Sequence, residues 1–588
     1  MNRPSLQKWR AAISAAFARF PFAILCAAVG AGCGIVASHW HKDDAIVGGC
    51  ARLAMTVALG MPLFFSLRIL REREWRGARY PLELIGIALL AGWFFTHSAR
   101  PSDEPGIVFF RWIFLLAALH LFAALAPYAW QNEGRGFWQF NRRVFLRFCL
   151  ATLYTVVLVG GLELALLSAD KLFELHLDRA YGDLFLLMVG CFHPTFFLAG
   201  VPRDFAALDN DPEYPRGLKA FTQFALSPLV LVYGLILYAY AVKIIFQRDW
   251  PHGWVALPVL ILSTVGIFAC LLLHPLREGP SEKWTARFGR IFPPALAPLS
   301  ILLLLSLRVR INDYGWTEER YIGVVASLWI FTWSLVFALR RRAGIRWIPA
   351  SLAVIAVAVA YGPWSAGAVS KRSQLSRLVT MLKKHGLWTG TAARAADTPI
   401  ELPKNEGTDF RSTVEYLVRM HGMTSVQSLF ADVLSHEKWA NLEHWNRGST
   451  IMHALHVRVA SEETPGTYFR QADLPIDITG FRRTWPMTAI YAVAIDKWNP
   501  QKFGDLRLGF DGGVLKIAIG DDATPQPVPL DQFVAQLPNT GAALTEEQSH
   551  IDFSNGGRNF RLVVNSVTLW RKTGRVEVKN IHFLLLER

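Results

Sequence analysis

Eleven mainly apolar stretches follow one another through the first 366 residues: 20–38, 45–67, 81–97, 107–127, 144–167, 181–199, 221–242, 254–276, 291–307, 321–339 and 347–366. About 20 apolar residues in a helix cover a hydrocarbon core of roughly 30 Å, so each stretch predicts a membrane-crossing helix. Open backbone groups are not tolerated in lipid, and the period-2 alternation of a membrane barrel is absent. After residue 366 the pattern changes. Leu375, Leu378 and Leu382 recur at helical spacing among Arg and Lys, predicting an amphipathic helix over 373–385. Ser412 and Glu415 have the spacing of a capping box before a helix ending near His421-Gly422, and a further helical stretch is expected over 425–445. From about 450 the alternation becomes that of strands, at 454–460, 489–495, 505–510, 513–519, 560–569 and 574–586, separated by Gly-rich turns. The expected fold is a polytopic α-helical membrane protein of about 11 spans with a C-terminal α+β soluble domain, mostly antiparallel β. Its expected parts are a membrane domain (1–366), a helical linker (367–449) and a β-rich extracytoplasmic domain (450–588).

Composition agrees with that division. Apolar residues make up 52% of the chain and charged ones 18%, which suits many spans joined to a sizeable soluble part. The net charge of +15 raises the question of nucleic acid. Residues 371–588 hold about +3 of it and residues 1–370 about +12, placed in loops between apolar runs. The loops after spans 2, 4, 6, 8 and 10 carry 19 Arg and Lys and the opposite set nine. That asymmetry predicts a cytoplasmic N-terminus in a bacterial inner membrane, with residues 308–321 and everything after 366 outside. The charge is read as topology, and nucleic acid as no partner. All six cysteines lie in apolar runs, so no disulfide framework or CxxC site is available to the soluble part. The first run reads as an uncleaved span, not a signal peptide.

Chemistry is harder to place. Residues 308–321, RVRINDYGWTEERY, crowd charge between two apolar runs and must form a short structured loop at a membrane surface. Thr317 is expected to cap the next helix, with Glu318 and Glu319 in its first turn. Arg310, Asp313, Tyr314, Thr317, Arg320 and Tyr321 form a candidate outer-face pocket for an anionic head group or glycan. Within the spans, Arg52, Glu163, His193 and Tyr233 are the candidate polar positions. Arg52 is read as reaching outward, Glu163 as a carboxylate near the interface, and His193 as hydrogen-bonded to a carbonyl freed by a kink at Pro194. His436, Glu437, His444, His453 and His456 cluster in sequence without the HExxH spacing, so no metal is assigned. Neither a GxSxG motif nor a P-loop occurs, and no cofactor is implied.

Several stretches resemble the bacterial multi-pass proteins grouped as domain of unknown function 4153. They are SADKLFELHLDRAYGDLFLLMVGCFHPTFFLAGVP (168–202), FALSPLVLVYGLILYAYAVKI (224–244) and, most specifically, APLSILLLLSLRVRINDYGWTEERY (297–321). KRSQLSRLVTMLKKHGLW (371–388), FRSTVEYLVRMHGMTSV (410–426) and IDITGF (476–481) add to them, so the likeness runs from about 140 to at least 480. The resemblance implies an envelope protein and carries over no catalytic residues. Three functions stay open: presentation of the β-rich domain to an envelope lipid, glycan or protein; transport or lipid flipping; and a membrane-embedded transferase. Transport requires the intramembrane polar groups to face one cavity. A transferase requires Asp313, Glu318 or Glu319 to converge with Glu163 or Asp170. Presentation predicts neither, but an exposed aromatic groove on 450–588.

Overall fold

The apolar stretches all become helices. The computed structural model describes residues 6–588 other than 42, 74–81, 98–105, 131–134, 248–255, 277–282, 341–343, 435–446, 460–463, 471–475, 477, 492–499, 512–513, 521–523, 538–542 and 573–574. The chain divides into two compact units, residues up to 396 with 410–455, and 397–409 with 456–588. His436, Glu437 and His444 lie outside the described residues.

The first unit opens with α1 (Leu6–Arg19), α2 (Pro21–His39), α3 (Asp44–Arg73), α4 (Leu82–Thr96), α5 (Gly106–Leu125) and α6 (Arg135–Phe173). Then come α7 (Asp178–Leu187), α8 (His193–Ala199), α9 (Phe205–Asp209), α10 (Arg216–Ala220), α11 (Ser227–Gln247) and α12 (Ala256–Leu273). The long helices α13 (Lys283–Tyr314) and α14 (Glu318–Leu339) precede α15 (Trp347–Ala360), α16 (Ala366–Lys384) and α17 (Lys404–His421). Among the described residues, nine helical segments are long and apolar enough to cross a membrane. The other two of the eleven expected, α4 and α15, are apolar but have 15 and 14 residues.

Local chemistry explains the departures from ideal helices. Pro194 cannot donate, and the chain widens into a π turn at Met188–Phe192 between α7 and α8. The His193 backbone N–H reaches five residues back to the Met188 carbonyl. Inside α13, Pro293, Pro294 and Pro298 disturb the backbone ladder. The Tyr238 hydroxyl donates to the Ala295 carbonyl at 2.6 Å, and Ser334 donates to the Pro293 carbonyl. Neighbouring helices thus donate side-chain hydrogen bonds to carbonyls in the proline-rich stretch of α13. The expected capping box is absent as such, because α17 begins at Lys404 and leaves Ser412 and Glu415 in mid-helix.

The second unit is built from strands. A short parallel pair joins β1 (Ile400–Leu402) and β2 (Val457–Val459). The other strands are β3 (Thr464–Arg470), β4 (Arg483–Tyr491), β5 (Gln501–Phe503), β6 (Leu506–Asp511), β7 (Val514–Ile519), β8 (Gln526–Pro527), β9 (Ala543–Leu544), β10 (His550–Asn555), β11 (Arg558–Lys572) and β12 (Arg575–Glu587). One sheet runs β4-β12-β11-β3-β9, and β10 shares an edge of β11 with β3. The second runs β5-β6-β7-β8 and is antiparallel throughout. Leu562 and Val564 of β11, Ile581, Phe583 and Leu585 of β12, and Leu506, Leu508, Leu515 and Ile517 of the smaller sheet form one buried core. This is the strand alternation expected of sheets packed face to face.

Arg558 ties this unit's ends together. Its guanidinium forks onto Glu587 at 2.5 and 2.7 Å and reaches Asp505 at 2.5 Å. The hydrogen bond from Arg558 holds the Asp505 carboxyl below its ordinary range, with burial opposing it. Since Glu587 is 11% exposed, Arg558→Met should strand a partly buried carboxylate. We expect a loss of about 1–3 kcal/mol in this unit, read as a lower thermal midpoint for proteolysis of residues 456–588 in the full-length protein.

Candidate functional site

Two helix ends meet at a buried cluster in the first unit. Glu318 opens α14 and His421 closes α17. A helix N-terminus favours an anion, so the Glu318 carboxylate suits the end it occupies. Glu318 is 3% exposed and Ser370, from α16, fully buried. Ser370 Oγ donates to Glu318 Oε1 at 2.5 Å, and the Tyr416 hydroxyl donates to Glu318 Oε2. His421 Nε2 lies 3.3 Å from both Glu318 Oε1 and Ser370 Oγ. Burial, and then the neighbouring Glu318, push the Tyr416 phenol above its ordinary range, so it stays a donor.

Serine, histidine and glutamate invite comparison with a hydrolase triad. In a triad the imidazole bridges serine and carboxylate through its two different nitrogens. Here both contact the same nitrogen, and the serine bonds the carboxylate directly. Such an arrangement relays no proton from Ser370. It fastens α14, α16 and α17 to one another.

The turn beside this cluster is shorter than its charge suggests. α13 runs on through Arg308, Arg310 and Asp313 to Tyr314, so Gly315–Trp316–Thr317 alone are non-helical before Glu318. Thr317 takes the capping position in extended backbone but makes no side-chain cap hydrogen bond. α16 crosses this turn and supplies its missing partners. Gln374 Nε2 donates to the Tyr314 and Trp316 carbonyls, both at 2.9 Å, and Ser373 Oγ accepts the Trp316 N–H at 2.9 Å. Arg377 donates to the Asp313 carbonyl at 2.6 Å, and Arg320 to the carbonyls of Tyr314 and Gly315. Arg320 and Arg377 also lie 5.5 and 5.8 Å from the Tyr314 ring. Tyr321 donates to the Trp364 carbonyl at 2.6 Å, Arg310 is half-buried, and the Asp313 side chain is exposed. The candidate outer-face residues therefore surround one turn, and several donate to its backbone.

Gly315 permits that turn. Its φ is +72°, and a Cβ there would lie 2.9 Å from Gln374 Nε2 and 3.0 Å from Ser373 Oγ. Gly315→Ala should cost about 1–2 kcal/mol from the left-handed backbone, with an added cost if α16 shifts. Thermal unfolding of the purified protein checks this, with a lowered midpoint expected.

The four intramembrane candidates have separate surroundings. Arg52 donates to the His97 carbonyl at 3.1 Å and lies 3.8 Å over the Phe94 ring, at the end of α4. His193 Nε2 meets the Thr152 hydroxyl at 3.2 Å, not a carbonyl freed by Pro194. Glu163 is half-buried on α6. Tyr233 packs against the apolar core shared by α11, α12, α13 and α14.

A second polar network lies at the other end of α5. Gly367 approaches Ile107 near the start of that helix, beside His421, whereas Tyr128 follows its C-terminal end. The Tyr128 hydroxyl donates to Asp209 Oδ1 at 2.8 Å, and Arg73 to Asp209 Oδ2 at 2.7 Å. Arg19 binds Glu72 at 2.7 Å and the Val201 and Pro202 carbonyls at 2.8 Å each. Arg143 binds Asp211 at 2.6 Å, and Arg346 donates to the Tyr128 carbonyl at 3.0 Å. Arginines counted above as topological signals are thus also structural ones. Among the described residues, no group of three or more His, Cys, Asp or Glu is placed to hold a metal ion.

The family model "Domain of unknown function (DUF4153)" matches residues 23–380, well over half of the chain. The chain belongs to this family. The DUF4153 region takes in the first four apolar helices, which the motifs alone matched less distinctly, and ends before the 410–426 and 476–481 stretches. An uncharacterised protein of Pasteurella multocida (strain Pm70) is 28% identical over 307 residues, covering 52% of this chain. The chain spans about half (49%) of that relative's length. No solved structure matches. The apolar helices and the DUF4153 match are those of an integral membrane protein. Of the buried cluster, the DUF4153 region supplies Glu318 and Ser370, while Tyr416 and His421 come from beyond it.

Proposed function

We propose that this DUF4153 protein is a non-enzymatic component of the bacterial inner membrane that presents its β-rich C-terminal unit, outside the cytoplasm, to an envelope lipid, glycan or protein. The observation that carries this reading is the closed state of the Glu318 cluster; of the exposed aromatic surface that presentation predicts, the described residues of 450–588 supply Phe469. The cluster's carboxylate accepts from Ser370, Tyr416 and His421 together, and its serine is fully buried. A joint of this kind holds the helices after the last apolar one against the membrane bundle, and it suits a scaffold better than a transferase site. The excess of Arg and Lys, 19 against nine, in alternate loops supports a cytoplasmic N-terminus and an outer C-terminal unit.

Fusions after Arg588 test the reading. Alkaline phosphatase placed there should be active and green fluorescent protein dark. A bright fluorescent fusion with an inactive phosphatase would place the C-terminal unit in the cytosol and overturn presentation at the outer face. Lipid and glycan mass spectrometry on the purified full-length protein then identifies what the unit holds.

A further inference from the structure

The helices α2 and α3 form an antiparallel hairpin joined by residues 40–43. Small side chains let the two backbones approach closely. A Cβ on Gly60 would lie 2.6 Å from Cys26 Sγ, and one on Gly30 would lie 3.5 Å from Val57. Further along α2, towards the connection, comes Cys33, whose thiol is a hydrogen-bonding neighbour of the Cys50 thiol on α3. Two free thiols thus meet across one helix pair. Each stands about 9 Å of helix from the ends, His39 and Asp44, that residues 40–43 join.

The pair has the arrangement that cross-linking needs. A disulfide forms only where the two Cβ atoms come close and their vectors do not diverge. Thiols already in contact between packed helices need little backbone movement to reach that geometry. Cys33 is 7% exposed and Cys50 is half-buried, so Cys50 is the sulfur that a small reagent reaches first. Packing alone asks only for two small apolar side chains at this contact.

We propose that Cys33 and Cys50 are a modification site, closed to a disulfide by hydrogen peroxide. That oxidant is small and uncharged, which suits an apolar surrounding. Cys50 sulfur attacks one peroxide oxygen, the O–O bond breaks, and Cys50 becomes a sulfenic acid as the first water leaves. Cys33 sulfur then attacks the Cys50 sulfur, the S–O bond breaks, and the second water carries away the remaining thiol proton. Two S–H bonds are replaced by one S–S bond, and the peroxide takes up both electrons. The link fastens α2 to α3 near their connection and closes residues 34–49 into a ring, which restricts the unfolded chain. In the orientation proposed above, both sulfurs lie in the outer half of the membrane, on the side where disulfides persist.

The test uses the full-length protein, purified under a phosphine reductant and placed in nanodiscs. After hydrogen peroxide it is unfolded in detergent with N-ethylmaleimide, and labelled thiols are counted by mass spectrometry. Untreated protein should take one label on each of its six cysteines, and oxidised protein two fewer, both regained on reduction. Trypsin cuts after Lys42 and Arg52, so the 20–42 and 43–52 peptides should stay joined until reduced. Cys33→Ala and Cys50→Ala should each abolish the joined peptide. Oxidation should raise the thermal midpoint of the parent protein and of neither variant. Full labelling of both cysteines after peroxide, a joined peptide that persists in Cys33→Ala, or sulfinic acid on Cys50 in place of the link would overturn the site. Should a variant fail to fold, fragmentation of the parent's joined peptide decides between Cys33 and Cys26. The purified protein answers whichever way the chain is oriented, so this outcome is separate from that of the Arg588 fusions.

Discussion

Glu318→Ala is expected to weaken the junction of α14, α16 and α17 by about 3–5 kcal/mol, since a hydrogen bond to a charged group contributes about 1.5–3 kcal/mol and this carboxylate accepts more than one. Ser370, Tyr416 and His421 all direct donors at this carboxylate, and alanine leaves them facing an apolar gap. The N-terminus of α14 also loses the anion in its first turn. Glu318→Gln should do less harm, about 2 kcal/mol, because its amide oxygen still accepts one donor while its NH2 opposes the others. Tyr416→Phe removes a single hydroxyl and should cost about 1 kcal/mol. Limited proteolysis of the detergent-solubilised protein checks the order. Cleavage between 385 and 434 should quicken most for Ala, then Gln, then the Tyr416 variant. Equal rates across the three would mean that the cluster holds nothing together.

Gly136→Ala should be the most damaging single methyl group at the opposite end of the bundle. A Cβ there would lie 1.9 Å from Asp209 Oδ1 and 2.1 Å from the Tyr128 hydroxyl. Tyr128 is 1% exposed and has no room to retreat. Pushing Asp209 aside also separates it from Arg73, so the loss should be about 2–4 kcal/mol. Gly160, on the same helix, has open space where its Cβ would be. Gly160→Ala should therefore be neutral or stabilise by up to about 1 kcal/mol. Thermal midpoints of the two variants in the same detergent separate a packing effect from a helix-propensity effect. A Gly136 variant as stable as the Gly160 one would remove the network from the account.

Much of this architecture was legible because bilayers impose a simple rule on side chains. Every apolar stretch in the first 366 residues became a helix, and 560–569 and 574–586 became the long strands β11 and β12. What failed was local detail with a distant cause. Residues 308–314 looked like a loop because they are charged, yet arginine is a good helix former and α13 continues through them. The strand β3 was missed because its sequence, TPGTYFR, contains both proline and glycine, which usually interrupt a ladder. His193 was expected to bond a freed carbonyl, but the wide turn before Pro194 leaves its ring to Thr152. Glu318 attracted little notice among five charged neighbours. Its partners lie 52, 98 and 103 residues further along the chain, and no periodicity reports such separations. The Tyr314 and Arg320 side of the turn was visible from composition. The helix that crosses it was visible too, but their meeting was not.

The 39 residues of α6 form one uninterrupted rod, about 58 Å long at helical rise. That exceeds the full thickness of a bilayer, about 45 Å with its head groups. Its first turns are gripped by Gln139 to the Asp211 and Glu213 carbonyls and by Trp138 to the Leu271 carbonyl. Such a rod behaves as a lever. A tilt of about 10° at the gripped end would sweep the tip near Phe173 through about 10 Å, given the length that a ~1.5 Å rise per residue sets.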